Sequence, residues 1–295
     1  MKTTKKYDTE SLGGRLKGYE AQYENEIPQN EHLIVRIDGH KFSKYTKGMN
    51  KPFDSIFSKA MEETTKDLLD EFGAYTVYTQ SDEITMILPS LMNTDKHKGQ
   101  NKPFWTHTHS GRVQKIVSLV AGFTTMSFNK HFKNIIDDIQ LDNAIKQNGG
   151  YDYITKMYKK IGSAWFDARV YGVPSDEEAF NSILWRVRDC IKNSKSTFAQ
   201  TYCSHKELQN KNGVEQIQYC LEKTGRDWND IEAKYKYGIL IKKETYMKDV
   251  EGQEPVQRSR VVTWSENLST FDYELVEMVL SKYKYDKRVN NATIQ

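Results

Sequence analysis

His32-Leu33-Ile34-Val35-Arg36-Ile37-Asp38-Gly39 and, further on, Tyr75-Thr76-Val77-Tyr78-Thr79-Gln80-Ser81-Asp82-Glu83-Ile84-Thr85-Met86-Ile87-Leu88 decide how the first half of this chain folds. The first stretch is a short apolar run with β-branched residues, hence a buried strand that ends at Asp38-Gly39. The second holds two such runs, Tyr75–Thr79 and Ile84–Leu88, joined by polar Gln80-Ser81-Asp82-Glu83, which reads as a hairpin turn. Between strand and hairpin, Asp54 can cap a helix whose Ile56, Phe57, Ala60, Met61, Thr64, Leu68 and Phe72 share one face, with Gly73 as its stop. After a long polar loop that stops the third strand near Pro89, Ser110 can cap a second helix, with Val113, Ile116, Val117, Val120, Ala121, Thr124 and Phe128 on one face. Beyond a polar stretch containing Gly149-Gly150, Trp165–Tyr171 is a fourth strand.

The order strand, helix, strand, strand, helix, strand predicts an α+β fold, a ferredoxin-like palm (βαββαβ) with both helices on one face of an antiparallel sheet. The other face is then free to hold a substrate. Past Pro174 the character changes. Ser175-x-x-Glu178 is a capping-box pattern that opens a helix carrying Ala179, Ile183, Leu184, Val187 and Ile191. Two shorter helical stretches follow, near Ser204–Lys211 and Val214–Lys223. Tyr237–Ile241 and Arg260–Trp264 read as a small strand pair, and the last twenty residues as a helix and a frayed tail. The expected division is a palm over residues 1–175 and a mostly helical C-terminal region over 176–295.

At 295 residues the chain is long enough for a substantial core, and its 12% aromatic content argues against disorder despite a mean hydropathy of −0.76. Lys plus Arg number 43 against 40 Asp plus Glu, which excludes a histone-like polycation but leaves room for a basic face beside an acidic site. No apolar run is long enough for a membrane helix. Met1-Lys2-Thr3-Thr4-Lys5-Lys6 lacks the apolar stretch of a signal peptide, so no membrane partner is expected. Three unpaired cysteines, Cys190, Cys203 and Cys220, read as reduced thiols, which points to the cytoplasm, with organellar or viral origin left open.

The pair of acidic strand ends is the informative feature. In a ferredoxin-like sheet the first and third strands are neighbours, so Asp38 and Asp82 would meet. Two converged carboxylates make a hard oxygen site suited to Mg²⁺, and two such ions could activate an attacking oxygen and stabilise a leaving phosphate. Gly39 lets the backbone approach closely, with its carbonyl as an extra ligand. Glu83 is either a further site residue or a turn carboxylate facing water. Lys41, Lys44, Lys47 and Lys51, interrupted by Phe42 and Tyr45, follow Asp38, and Arg112 and Lys115 begin the second helix. Cations around two carboxylates suit a triphosphate with Mg²⁺. The plain alternatives are an ordinary Asp-Gly turn and a solvated lysine loop. His107-x-His109 lacks a third zinc ligand, and no Walker A, GxGxxG or GxSxG pattern is present. Arg186, Arg188, Lys192, Lys195, Lys206 and Lys211 outnumber the nearby acids, a modest basic surface compatible with RNA or with ordinary helix exteriors.

Taken together, these blocks resemble the tRNA(His) guanylyltransferase superfamily. The resemblance rests on Arg36-Ile37-Asp38-Gly39-His40-Lys41-Phe42, Lys51-Pro52-Phe53-Asp54 and Gln80-Ser81-Asp82-Glu83. Ser11–Glu20, Phe166–Val170 and Trp185-Arg186 through Asp189, with Asn193-Ser194, agree in order, so the likeness spans about residues 10 to 265. It implies an enzyme that adds nucleotides to the 5′ end of tRNA in the 3′→5′ direction, after ATP activates the 5′-monophosphate. Asp38, the Gly39 carbonyl and Asp82 would hold two Mg²⁺ ions, with Glu83 assisting. Arg36, His40, Lys41, Phe42, Lys51, Ser81, Arg112 and Lys115 would serve ATP, GTP and other nucleoside triphosphates or the 5′ end. Arg186, Arg188, Lys192, Asn193 and Lys195 would contact tRNA. The helical region would bind tRNA or support a homotetramer, as in other members.

The blocks also depart from one branch of that family. Members that add a single guanosine carry His-Ile-Asn-Asn-Leu-Tyr-Asn where this chain has Ile191-Lys192-Asn193-Ser194-Lys195-Ser196 after Asp189-Cys190. Lys51-Pro52-Phe53-Asp54 in place of Lys-Pro-Asn-Asp, and Ser204–Leu208, likewise resemble the guanylyltransferase-like branch associated with templated tRNA 5′-end repair. Single-guanosine addition to tRNA(His) is the alternative. A nucleotide cyclase or forward polymerase shares the topology, but the Gly-Gly-Asp/Glu-Glu-Phe hairpin of a diguanylate cyclase is missing. A non-catalytic ferredoxin-like RNA-binding module would need an RNP aromatic block. Tyr75 and Tyr78 alone do not make one.

Overall fold

The structure, a computed structural model, describes residues 10–88, 107–139, 150–248 and 256–280. Pro89, most of the loop before Ser110, Gly149 and the tail beyond residue 280 lie outside those residues. The palm elements are α1 (Leu12–Gln22), β1 (His32–Gly39), α2 (Phe42–Tyr45), α3 (Ser55–Glu71), β2 (Thr76–Gln80), β3 (Glu83–Leu88), α4 (Val113–Asp138), α5 (Gly150–Tyr158) and β4 (Phe166–Val173). Then come α6 (Asp176–Tyr202), α7 (His205–Leu208), α8 (Gly213–Thr224), α9 (Ala233–Tyr237), β5 (Ile239–Lys248), β6 (Val256–Trp264) and α10 (Tyr273–Leu280). The βαββαβ order is present, with α5 as an added helix before β4.

Local signals act where the residues put them. Asp54 Oδ1 accepts from the Phe57 N–H at 3.0 Å and caps α3, and Gly73 takes φ +61° just past its end. Ser175 Oγ accepts from the Glu178 N–H at 3.3 Å, while the Glu178 carboxylate takes the Asn181 amide instead of closing a capping box. Ser110 does not cap α4. It lies at φ +58° in a tight turn over Thr108–Gly111, and Arg112 precedes the helix without a side-chain cap. The turn is held from elsewhere: Ile27 N–H donates to the Gly111 carbonyl at 2.9 Å and Val113 N–H to the Asn25 carbonyl at 2.8 Å. That tertiary tie overrides the local preference.

Among the described residues, the strands pair antiparallel in one six-stranded sheet of order β4-β1-β3-β2-β5-β6. The late strand pair is therefore not separate from the palm. Thr76–Thr79 of β2 pairs with Ile239–Lys242 of β5, so the C-terminal region completes the sheet. Alternation explains the gain. Ile239 and Ile241 enter the core on one face of the sheet while Leu240 enters the core on the other.

On the first face, Leu33, Val35 and Ile37 of β1 and Ile84 and Met86 of β3 pack against α3 and α4. Phe42, Phe57, Phe128 and Phe166 interlock there, with ring centroids 4.9–5.9 Å apart. The second face is not left open as the sequence suggests. Ile34, Tyr78, Ile87 and Leu240 are covered by Ala179, Phe180, Ile183 and Val187 of α6 and by Leu275, Val276 and Val279 of α10. The apolar face of α6 has to be buried, and this is the surface it finds. A third, smaller cluster joins the end of α6 to α8 through Phe198, Cys203, Cys220 and Trp228.

Candidate active site at the acidic turn

Strand register sorts the second face into cross-strand rows. Asp167, Asp38, Glu83 and Gln80 lie side by side across β4, β1, β3 and β2 at the edge of the α6 cover. The next row holds Arg169, Arg36, Thr85 and Tyr78. The turn from β2 to β3 is Ser81-Asp82, with Ser81 at φ +49°. The Gly39 N–H donates to the Asp82 carbonyl at 3.0 Å, which ties the end of β1 to the turn. The sequence expectation that Asp38 and Asp82 converge is therefore matched in the backbone. Burial first, and then the charges of Asp38 and Glu83, push the Asp82 carboxyl up to about 6, against a hydrogen bond from Ser81 Oγ that favours the charged form.

Glu83 is not a free turn carboxylate. Its Oε2 accepts from Arg186 Nη2 and, at 2.6 Å, from Gln80 Nε2. Arg186 reaches down from α6 and also pairs with Asp189 at 3.0 Å, and its side chain is only 7% exposed. It cannot contact RNA in this position, which corrects the expectation that it belongs to a basic RNA surface. The cause is the helix phase: Arg186 lies on the same buried face as Ile183 and Val187. Neighbouring Trp185 is half exposed and packs on both guanidinium groups, 5.4 Å from Arg36 and 4.7 Å from Arg186.

Beside the acidic turn opens a cavity of about 530 Å³, lined by the Thr46–Asp54 segment, Gln80–Glu83, Asn193–Thr201 of α6 and Lys234-Tyr235 of α9. Its size suits a nucleotide. Asp54 braces one wall. Its carboxylate accepts from the Asn50 N–H at 2.9 Å and from the buried Tyr153 hydroxyl as well as capping α3. Phe53 stacks on Tyr235 with centroids 4.6 Å apart and planes within 8°. Cys190 also lines the cavity, but burial pushes its thiol up to about 12, so it offers no thiolate for nucleophilic chemistry.

The other expected site residues scatter. Lys51 and Ser81 line the cavity. His40 is exposed, its ring 5.5 Å from Trp165, and Lys41 is exposed in a left-handed conformation. Phe42 is not at the site surface. It is 3% exposed within the aromatic core, and its ring lies where a Cβ on Gly39 would fall, at 2.4 Å. Gly39 is thus required by the packing of Phe42. Arg188 donates to the Ser269 carbonyl, Lys192 is exposed, Asn193 bonds Asp189 while lining the cavity, and Lys195 lies over Trp228.

Arg112 and Lys115 are not beside the carboxylates. Gly111 packs on Ile27, Ile27 packs near Gly172, and Gly172 pairs with Leu33. That is five residues back along β1 from Asp38, or roughly 17 Å. Along α4, Thr125 bonds the N–H of Phe166, the cross-strand partner of Gly39, so Val113 stands about 18 Å further along the helix. Arg112 instead pairs with Glu24 at 3.4 Å and shares with Lys115 a second cleft beside α1. The zinc alternative gains nothing: His107 bonds the Pro28 carbonyl at 3.1 Å, and among the described residues no group of three or more His, Cys, Asp and Glu is placed to hold a metal. Asp167, Arg169 and Trp185 enter this picture only through register and helix phase. Alternation along Phe166-Asp167-Ala168-Arg169 signals their shared face, but nothing local reveals their partners.

Comparisons with known proteins bear on the family and the fold. The family described as tRNA(His) guanylyltransferase matches residues 13–174. An uncharacterised protein of Acanthamoeba polyphaga mimivirus is 36% identical over 245 residues, covering 81% of this chain and 80% of that one. A bacterial tRNA(His) guanylyltransferase-like protein, solved in complex with ATP, is 31% identical with a TM-score of 0.70, covering 92% of this chain and 100% of that chain. Its counterpart in complex with GTP is 32% identical with a TM-score of 0.65, covering 91% and 98%.

Proposed function

Because this chain belongs to the tRNA(His) guanylyltransferase family, whose members are nucleotidyltransferases acting on tRNA, we propose that it adds nucleotides to the 5′ end of tRNA in the 3′→5′ direction, directed by the opposite strand. The observation that carries this reading is the acidic turn set against a nucleotide-sized cavity. Similarity to a guanylyltransferase-like protein that binds ATP and GTP supports triphosphates as substrates.

The donor set fits Mg²⁺, which takes one or two protein carboxylates together with substrate phosphates. Asp38 and Asp82, with the Gly39 carbonyl, would hold the ions. Burial first, and then the charges of Asp38 and Glu83, raise the Asp82 carboxyl, and a bound cation would favour its charged form. Bound Mg²⁺ would make the attacking hydroxyl more acidic and stabilise charge on the departing phosphate. The side chains do the positioning. Lys51 and Ser81 on the cavity wall face the triphosphate. Arg186 and Gln80 hold Glu83, and with it the Ser81-Asp82 turn, in one place. The 3′-hydroxyl of a seated nucleotide then attacks the adenylylated 5′-phosphate, and AMP leaves. Catalysis is mostly orientation and charge stabilisation. Cys190, Cys203 and Cys220 are free and buried, as reduced thiols would be, and among the described residues no helix is long and apolar enough to cross a membrane.

The test is to incubate the protein with Mg²⁺, ATP, all four nucleoside triphosphates and a 5′-monophosphorylated tRNA lacking its first nucleotides. Growth at the 5′ end that follows the opposite strand supports repair. A product limited to one guanosine on tRNA(His) shifts the reading to the single-addition activity. No extension of any tRNA, including one carrying a 5′-triphosphate, refutes it.

A further inference from the structure

Two of the three free cysteines face each other. Cys203 follows the last turn of α6 and Cys220 sits in α8, both inside the small third cluster with Phe198, Leu208 and Trp228. The two helices lie side by side and run the same way. A Cβ on Gly213 would stand 3.7 Å from the Lys195 Cβ, so α8 starts against α6 at that point. From there to Cys203 and to Cys220 the chain climbs nearly the same distance, roughly 12 Å along α6 and 10 Å along α8. Glu207 fixes the match. Its Oε2 accepts from the Ser204 N–H at 2.8 Å and the Ser204 hydroxyl at 2.7 Å. Its Oε1 accepts from the Lys223 ammonium at 2.6 Å and the Tyr219 hydroxyl at 3.3 Å. The residue after Cys203 is thereby tied to α8 on both sides of Cys220, and the two thiols come within hydrogen-bond reach of each other. Cys190 stands apart. It precedes Cys203 on the same helix by about 20 Å, and its thiol donates to the Tyr235 carbonyl at 3.9 Å. A disulfide needs Cα atoms within about 7 Å, so Cys190 cannot join the pair.

We propose that Cys203 and Cys220 form a reversible disulfide that clasps α8 to the end of α6, with a low-molecular-weight disulfide of the glutathione type as oxidant. Cys203 reacts first. Cys220 is fully buried, whereas Cys203 is 6% exposed and is followed at once by exposed Ser204, His205 and Lys206, so a local opening there uncovers it. The Cys203 thiolate attacks one sulfur of the small disulfide, which forms a mixed disulfide and expels one small thiol. Cys220 then gives up its proton and attacks the Cys203 sulfur, and the second small thiol leaves. Two electrons pass from the protein to the oxidant, and the two protein protons end on the released thiols. Burial first, and then Cys220, holds the Cys203 thiol above its ordinary range, with the Lys223 ammonium opposing. Closure is therefore slow, and it answers to a sustained oxidised thiol pool rather than to a burst of peroxide. What the clasp secures is one wall of the cavity, since Asn193, Thr197, Gln200 and Thr201 line it from the last turns of α6. The cross-link closes the loop through α7 and α8 and removes open conformations of that loop.

The test equilibrates the full chain with oxidised and reduced glutathione at several ratios. Free thiols are then trapped in denaturing acid with an alkylating reagent and mapped by mass spectrometry without reduction. The expected product is a peptide pair joining Cys203 to Cys220, two hydrogens lighter than the reduced peptides together, with Cys190 alkylated. Dithiothreitol should reverse it. Cys190→Ala should leave the bridge in place, and Cys220→Ala should stop with one glutathione on Cys203. In the oxidised wild type, amides of α8 that exchange through local opening should exchange about 100-fold more slowly. No bridge in the native wild type at the most oxidised ratio overturns the proposal. A bridge that includes Cys190, joins two chains or forms only in denaturant overturns it equally. A Cys203–Cys220 bridge with unchanged exchange in α8 refutes the clasp.

Discussion

The two faces of the sheet are built on opposite principles. The first face is a continuous apolar layer, closed by α3 and α4 around interlocked phenylalanines. The second is apolar only in its middle. At one end lie the acidic row and the buried Arg186. At the other, the fully buried Lys242 donates to the Met278 carbonyl, and Thr76 donates to the Val279 carbonyl at the end of α10. The first face supplies stability. The second gives up some of it to buried charge, and its acidic end is where the chemistry is proposed.

This contrast can be broken experimentally, and the largest effect belongs to the acidic row. Asp38→Ala or Asp82→Ala should lower 5′ extension by at least about 10³-fold while leaving far-UV circular dichroism and the melting transition in place. Wild-type turnover in either would refute the assignment of the metal-binding carboxylates.

On the first face the expected loss is in stability. Phe128→Ala removes a fully buried ring that contacts Phe42, Phe57 and Phe166 and should cost about 3–5 kcal/mol in denaturant unfolding. A cost under about 1 kcal/mol would mean the layer repacks freely.

Arg186→Ala is expected to do both kinds of damage, because it leaves Glu83 and Asp189 without their shared partner. About 3 kcal/mol of stability should go, together with a fall in kcat as the Ser81-Asp82 turn loosens. The double variant Arg186→Met with Glu83→Gln should recover most of the stability and little of the rate. If rate returns with stability, Arg186 is structural only.

The smallest effect is the pH signature of Lys242. Burial pulls its ammonium down to about 8, with Glu244 opposing. Below that pH it is charged in both folded and unfolded chains, and the burial cost is fully present. Between about 8 and 10.4 the unfolded chain still holds a proton the folded one has released, so this group makes stability rise with pH. Chemical denaturation of Lys242→Met should lack that rise relative to wild type. Identical pH profiles would show that Lys242 titrates normally.

How legible was this in the amino-acid sequence? Elements whose signal is local were readable. β1, the hairpin, α3 with its Asp54 cap, and α6 after Ser175 follow from alternation, helical spacing and capping chemistry. The convergence of Asp38 and Asp82 was readable too, since strand order in a βαββαβ palm makes their strands neighbours. Residues whose place depends on distant partners were not. Ser110 looked like a cap until the 25–27 segment claimed the turn. Arg112 and Lys115 looked close to the site because sequence reading carries no measure of which end of the sheet a helix starts from. Arg186 looked like a surface cation because a basic residue in a polar helix gives no sign of an acid waiting beneath it.

The sequence by itself therefore determined the palm, the acidic turn and the family likeness, because short-range periodicity and motif chemistry need no knowledge of distant partners. Tertiary structure alone decided that the second face is roofed by α6 and α10, that β5 and β6 extend the sheet, and that a cavity opens beside the acids. Each of those outcomes depends on strand register and on the phase at which α6 crosses the sheet. Both are set by the burial of apolar surface from residues far apart in the chain.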